Sequence, residues 1–295
     1  MTVEAEGARM RDEATMMALI VGVAAQDARV RAVVQSGSRT NPAIRPDSFQ
    51  DYDVIYVVTR LEEFLADEAW LSPFGERMIM QTPDGMGSRR PLPTERFAYL
   101  MQFADGNRID LTLVALDTLD AFRFDSLSQV LLDKDNRLPP LPAPSERDYL
   151  PTPPRATEFA DCCNEFWWVA PYVAKGLCRD QLPYARHHLD TVLRAELTRM
   201  LTWLIGQRSE FAVNVGAHGK AFAMLLRPGE WQRLTATYAA GSNEATWHAL
   251  FAGCALFREA AQAVAAAAGF DYPQGDDDRV SAYLHRLYQR CCNPH

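Results

Sequence analysis

Seven prolines fall within residues 138–154. No continuous helix can cross such a stretch, because each proline lacks a backbone N–H and its ring clashes with the preceding turn. The hydrophobic period differs on its two sides. Before it, apolar residues alternate or run in short β-branched blocks; after it they recur every three or four residues almost throughout. A chain of 295 residues can hold two cores. The pattern predicts an α+β fold, with a mixed-sheet domain over residues 1–137, a proline-rich linker over 138–154 and a helical bundle over 155–295. The linker contains little glycine or serine, which predicts an ordered crossing rather than a flexible tether.

In the first half, Met16, Leu19, Ile20 and Val23 mark a helix over residues 12–26, and a strand follows at 30–34. Residues 61–71 predict a short acidic helix and 78–81 a strand. Residues 97–103 and 108–114 predict a hairpin that turns at Asp105-Gly106. Residues 116–132 predict a further helix. Beyond the linker, helices are expected at 157–176, 182–207, 220–226, 231–239, 245–268 and 277–291. There is no internal repeat.

The chemistry concentrates around residues 37–53. Gly37-Ser38-Arg39 follows the first strand, and Asp51-Tyr52-Asp53 opens a β-branched one. In a strand, alternate side chains share a face, so Asp51 and Asp53 point the same way, roughly 7 Å apart along the backbone. Carboxylates that close raise each other's pKa unless a cation lies between them, and a hard divalent ion such as Mg²⁺ suits oxygen donors. On its own, an Asp-x-Asp pair is most often an acidic turn at a strand entrance. A third acid changes the weighing. Asp110 sits inside the apolar return strand of the hairpin, where a charge needs a cation or a strong donor. A Gly-Ser turn can bring a backbone N–H and a hydroxyl close to a phosphate, since glycine has no Cβ in the way.

The order Gly37-Ser38, Asp51-x-Asp53, Asp110 resembles the polymerase-β-like nucleotidyltransferase superfamily. Longer runs resemble one branch of it, the aminoglycoside 6-adenylyltransferases: Gly37-Ser38-Arg39-Thr40-Asn41, Phe49-Gln50-Asp51-Tyr52-Asp53, Asp105-Gly106-Asn107 with Asp110-Leu111-Thr112-Leu113, Leu131-Leu132-Asp133-Lys134-Asp135, and Cys162-Cys163-Asn164-Glu165-Phe166-Trp167. The likeness spans nearly the whole chain and fades at 85–93 and 138–154. It implies transfer of AMP from ATP to an aminoglycoside hydroxyl, the 6-hydroxyl of streptomycin, by an in-line displacement with two Mg²⁺ ions. Asp51, Asp53 and Asp110 would be catalytic and would hold the metals. Asp110 would either lower the pKa of the attacking hydroxyl or accept its proton. Gly37, Ser38 and Arg39 would bind the nucleotide. Two other readings keep the fold: a nucleotidyltransferase acting on a protein, or a non-catalytic nucleotide-sensing module.

The first helix after the linker carries Glu158, Asp161, Glu165, Trp168, Tyr172 and Lys175 at alternating spacings of three and four, hence on one face. Wet helix faces are commonly charged, and the rings could be core. Acids in register with rings also suit a polycationic sugar, since carboxylates pair guanidinium groups and rings stack on them. Asp161, Glu165 and Trp168 are therefore substrate-binding candidates, with Asp190 a further one. Lys220 follows the glycines of Gly216-Ala217-His218-Gly219 and precedes a helix, a setting that suits a triphosphate, although the spacing is not a P-loop. The resemblance places a lysine there too, and Lys175 is the other candidate cation for ATP. Arg89 and Arg90 could touch phosphate, though a solvated loop is the simpler reading. The histidines have no metal-binding spacing.

A formal charge of −8 argues against nucleic acid and is compatible with a cationic small substrate. Of six cysteines, four lie in the adjacent pairs Cys162-Cys163 and Cys291-Cys292, with no zinc-knuckle spacing. Buried reduced thiols are expected. Residues 1–11 have no apolar core that would mark a secretory signal. No run approaches the roughly 20 apolar residues of a membrane helix. The expectation is a cytoplasmic monomer without membrane contact.

Overall fold

A computed structural model of the chain describes residues 9–87 and 94–292. Arg89 and Arg90, and all but the last residues of the 1–11 stretch, lie outside the described residues. The chain divides into two compact units, Met1–Asp148 and Tyr149–His295.

In the first unit, α1 (Glu13–Gln26) begins at Asp12, whose carboxylate accepts a 2.8 Å bond from the Thr15 N–H. That bond satisfies one of the amides a helix start leaves without a partner. Strands β1 (Val30–Ser36) and β2 (Tyr52–Val58) follow, then α2 (Leu61–Ala66), β3 (Arg77–Gln81), β4 (Arg96–Phe103), β5 (Arg108–Ala115) and β6 (Gln129–Asp133). Among the described residues they form a six-stranded sheet in the order β3-β4-β5-β2-β1-β6. The β2–β5 pair is parallel and the other pairs are antiparallel.

The two faces of this sheet are unlike. Tyr52, Val54, Tyr56 and Val58 of β2, with Ile109, Leu111 and Leu113 of β5, are buried in one core with Met16, Ile20 and Ala24 of α1 and Phe64 of α2. Each such side chain gains roughly 1.5–3 kcal/mol from burial, and a slip of one residue would turn Asp53, Arg108 and Asp110 into that core instead. Register is therefore fixed strongly. The opposite face carries those charged residues, with a smaller cluster where Leu119, Leu116, Phe124 and Leu138 cover Ala32 and Val57.

Two expectations for this unit are corrected. Residues 116–132 are not helical: a 3₁₀ turn at Leu116–Thr118 leads through turns into β6, which pairs with β1. The backbone of β1 would otherwise form an open sheet edge, and that long-range demand overrides local helical spacing. The acidic helix expected at 61–71 ends at Ala66 and restarts as a 3₁₀ run, Glu68–Phe74, capped by Asp67.

The second unit is helical, as expected. It comprises α3 (Ala156–Cys178), α4 (Leu182–His187), a π-helical stretch His188–Leu193, α5 (Arg194–Arg208), α6 (Phe222–Leu225), α7 (Pro228–Thr235), α8 (Asn243–Ala268) and α9 (Gln274–Cys292). Phe166 of α3 stacks on Phe257 of α8 at 3.8 Å between ring centres. The helix expected at 220–226 shrinks to α6, because Gly216, His218 and Gly219 all adopt positive φ just before it. By length and composition α8 could cross a membrane, which corrects the expectation that no segment could. Over half of its apolar window is buried in this unit's core, where Trp247, Leu250 and Phe257 pack. Cys178 and Cys291 form a disulfide joining the ends of α3 and α9, against the expectation of reduced thiols throughout. Only the folded packing of α3 on α9 brings together cysteines 113 residues apart. Cys162, Cys163 and Cys254 are buried and free, and Cys292 is exposed and free.

Candidate active site

The site in the first unit is built where β1 ends. Ser36 lies opposite Asp53 in the β1–β2 ladder, and the chain then turns through Gly37 at φ +73°. A Cβ at position 37 would overlap the Asp53 carboxylate. Only glycine meets both demands, the left-handed backbone and the close approach. The β2–β5 register sets Asp53 beside Asp110, so the two come from neighbouring parallel strands. Asp51 precedes β2 and projects toward the same group of charges, within 3.6 Å of Arg108.

Arg108 answers two of the three acids. Asp110 is gripped by Arg108, whose Nε and Nη2 donate to its two carboxylate oxygens at 2.8 Å each. The same Nε lies 3.6 Å from Asp51 Oδ2. Burial raises the Asp51 carboxyl, while Arg108 draws it down and Asp110 pushes it up. Asp53 is the most perturbed of the site's acids, pushed up to about 6 by burial first and then by the charges of Asp110 and Asp51. Among the described residues no donor is hydrogen bonded to its carboxylate. The oxygens of Asp51 and Asp53 suit a hard divalent cation, and such an ion would relieve the repulsion on Asp53. Among the described residues no group of three His, Cys, Asp or Glu is arranged, as placed here, to hold a metal ion. Asp110 faces Arg108 instead.

The Ser38 hydroxyl makes no hydrogen bond among the described residues, while the Ser38 carbonyl accepts from Gln50 Nε2 at 3.1 Å. Arg39, expected at phosphate, is committed elsewhere. Its guanidinium donates to the carbonyls of Asp51 at 3.1 Å and Gln50 at 2.8 Å, stacks 3.8 Å over the Tyr52 ring and faces Glu13. Those bonds tie the 40–51 loop to the sheet.

In the second unit the α3 stripe lies as the spacing predicts, with Asp161, Glu165 and Trp168 exposed and Trp168 64% accessible. Glu158, at its start, is spent on Arg155 in the helix cap. Trp168, Tyr172 and Lys175 line a cavity of about 490 Å³ with Asp276 and Arg279 of α9. Asp190 falls in the π-helical stretch and is bonded to Arg186 at 2.6 Å, with Arg194 at 3.8 Å. It lines a second cavity of about 730 Å³ together with Arg186, Arg194, Arg199 and His218. Lys220 is exposed, without an ion pair among the described residues, and its stem packs against Gly216. It precedes α6, a helix of only four residues, so the helix-start field expected beside it is weak.

The streptomycin adenylyltransferase family model matches residues 10–287. The chain belongs to the streptomycin adenylyltransferase family. It is 40% identical to an aminoglycoside 6-adenylyltransferase of Campylobacter jejuni over 278 residues, 94% of this chain and 96% of that one. Two further proteins of that name are similar: one of Bacillus subtilis (strain 168), 38% identical over 95% of this chain and 99% of its own, and one of Staphylococcus aureus, 36% identical over 95% and 100%. A crystal structure of an aminoglycoside 6-adenyltransferase from Bacillus subtilis is 35% identical, covers 95% of this chain and 99% of that one, and has a TM-score of 0.47.

As an adenylyltransferase the chain is an enzyme. Two features of this family member escaped the sequence reading. Arg108 lies two residues before Asp110 and so on the same strand face, a spacing that could have flagged it. Arg186, Asp190 and Arg194 recur every four residues, the pattern of a charged helix face turned to a cavity.

Proposed function

We propose that this adenylyltransferase moves AMP from ATP to the 6-hydroxyl of streptomycin, a cationic aminoglycoside, in the cytoplasm, and so gives resistance to it. The observation that carries the reading is Asp53, a half-buried carboxylate with no hydrogen-bond donor among the described residues, set beside Asp110 and Asp51 on one sheet face. Asp51 and Asp53 would hold Mg²⁺, and Asp110 would complete the site of a second ion. When bound, the ions supply a Lewis acid that draws charge from the phosphoryl oxygens. Asp110 holds or accepts the proton of the acceptor hydroxyl as its oxygen bonds to the α-phosphorus and pyrophosphate leaves. The Ser38 hydroxyl and the amides of the Gly37 turn orient the phosphates. Lys220 offsets charge on the departing pyrophosphate, with Lys175 a second cation for the nucleotide. Asp161, Glu165 and Trp168 of α3 hold the sugar's guanidinium groups, two as anions and one as a stacking plane. Asp190 adds a further acid on the second unit.

The test is pyrophosphate release by the purified chain. We expect release that requires ATP, Mg²⁺ and streptomycin together. Release indifferent to streptomycin overturns the acceptor, and no release with any aminoglycoside overturns the transfer.

A further inference from the structure

We infer that Arg108 is a positioning residue that stands in for the divalent cation, holding Asp110 and Asp51 in the metal-free protein and giving them up as the metal binds. The inference rests on the reading above, that Asp51, Asp53 and Asp110 serve the metal.

Three anions share one face of the sheet, and Asp53 lies beside Asp110 by strand register. Arg108 answers two of them. It grips both oxygens of Asp110 at 2.8 Å and reaches to 3.6 Å from Asp51. Two other arginines of this unit are anchored to the backbone: Arg39 to the carbonyls of Asp51 and Gln50, Arg11 to that of Phe74. Among the described residues Arg108 donates to no carbonyl, and the contacts of its guanidinium all go to acids of the site. Its side chain is 39% exposed, and so is Asp51's at 38%. A guanidinium held only by charge, half in water, on a long stem, can swing out without moving the strand.

The fork also constrains the chemistry. The fork takes one lone pair on each oxygen of Asp110, and its positive charge opposes a cation arriving at the pairs that remain. Asp53, which has no donor among the described residues, is the anchor open to the metal from the start. Arrival of the ion at Asp53 and Asp51 then frees Asp110, so metal loading and readiness of the third acid become one event.

The test compares Mn²⁺ binding, read by electron paramagnetic resonance without nucleotide or acceptor, in the wild type, Arg108→Met and Arg108→Lys. Arg108→Met should bind Mn²⁺ more tightly by about fivefold, the scale of a part-exposed ion pair. Arg108→Lys, which keeps the charge and loses the fork, should fall between the two. Mg²⁺ should raise the thermal midpoint of Arg108→Met more than that of the wild type. Asp53→Asn should abolish Mn²⁺ binding, tying the signal to this site. Mn²⁺ affinity in Arg108→Met no tighter than in the wild type overturns the inference, as does Mn²⁺ binding that survives Asp53→Asn. If Arg108→Met fails to fold by circular dichroism, Arg108→Lys decides alone: tighter than wild type supports, equal or weaker overturns. Loss of streptomycin-dependent pyrophosphate release in the wild type would remove the proposed acceptor while leaving this comparison standing.

Discussion

Gly37 and Asp53 are packed so closely that a Cβ on residue 37 would stand 2.8 Å from Asp53 Cγ. The turn after β1 and the most perturbed acid of the site are therefore one fitted unit. Gly37→Ala meets two penalties, a left-handed backbone and the displacement of a half-buried carboxylate. It should cost about 1–3 kcal/mol of stability by urea unfolding and lower turnover by at least tenfold. A variant with unchanged turnover would deny the Asp53 carboxylate its role.

Asp53 also predicts a pH dependence. In the unfolded chain an aspartate titrates near 4, whereas here burial and the facing acids raise it to about 6. The folded state holds the proton more tightly, so ionising Asp53 costs stability. The cost is absent below the unfolded value, grows between the two values and is complete above the folded one. Asp53→Asn should therefore stabilise the metal-free protein by about 1–3 kcal/mol near pH 8 and by little near pH 4. Urea titrations at both pH values check this, and equal gains at the two would refute it.

Asp105 behaves in the opposite sense. Burial pushes its carboxyl up, but Arg11 and Asn107 donate to it and hold it well below the ordinary range. A depressed acid contributes stability above its unfolded value and loses it as pH falls further. Asp105→Asn should cost about 2 kcal/mol at neutral pH, with the difference shrinking in strong acid. The measurement is the unfolding midpoint of both proteins across that range.

The disulfide between Cys178 and Cys291 closes a long loop, and such closure is typically worth about 2–4 kcal/mol. Cys178→Ser should lower the thermal midpoint, and dithiothreitol should lower the wild type to the same value while leaving the variant unchanged. A wild type indifferent to reductant would show the bond to be absent in solution.

On α3, Glu165 is exposed beside Trp168 and has no ion pair among the described residues. Glu165→Gln should weaken streptomycin binding by about tenfold, the scale of a lost charge-assisted contact, and leave ATP binding unchanged. Calorimetric titration with each ligand separates the two. Equal losses would contradict the assignment of this stripe to the sugar.

How far the chain could be read in advance follows from the range of the forces involved. The 96–115 hairpin and the Asp-x-Asp strand were legible because alternation and a tight turn are local. The segment after Leu116 was not, because β6 exists to satisfy the backbone of β1, from which it is far in sequence. The approach of Gly37 to Asp53 was half legible: glycine signalled a close contact without saying to what. Asp110 called for a cation or a strong donor, and nothing local said that the strand neighbour two residues away, Arg108, would be that donor. The Cys178–Cys291 pairing and the burial of α8 depend on helix packing, which no local pattern encodes.

The parallel pairing of β2 with β5 has a consequence for how such an enzyme can change. Because interstrand hydrogen bonds set Asp53 beside Asp110, the separation of those acids does not depend on the length of the chain that connects them. The described residues between the two strands, 59–87 and 94–107, leave the sheet centre and return to it. Selection can lengthen, trim or recolour its loops while Asp53 and Asp110 keep their spacing.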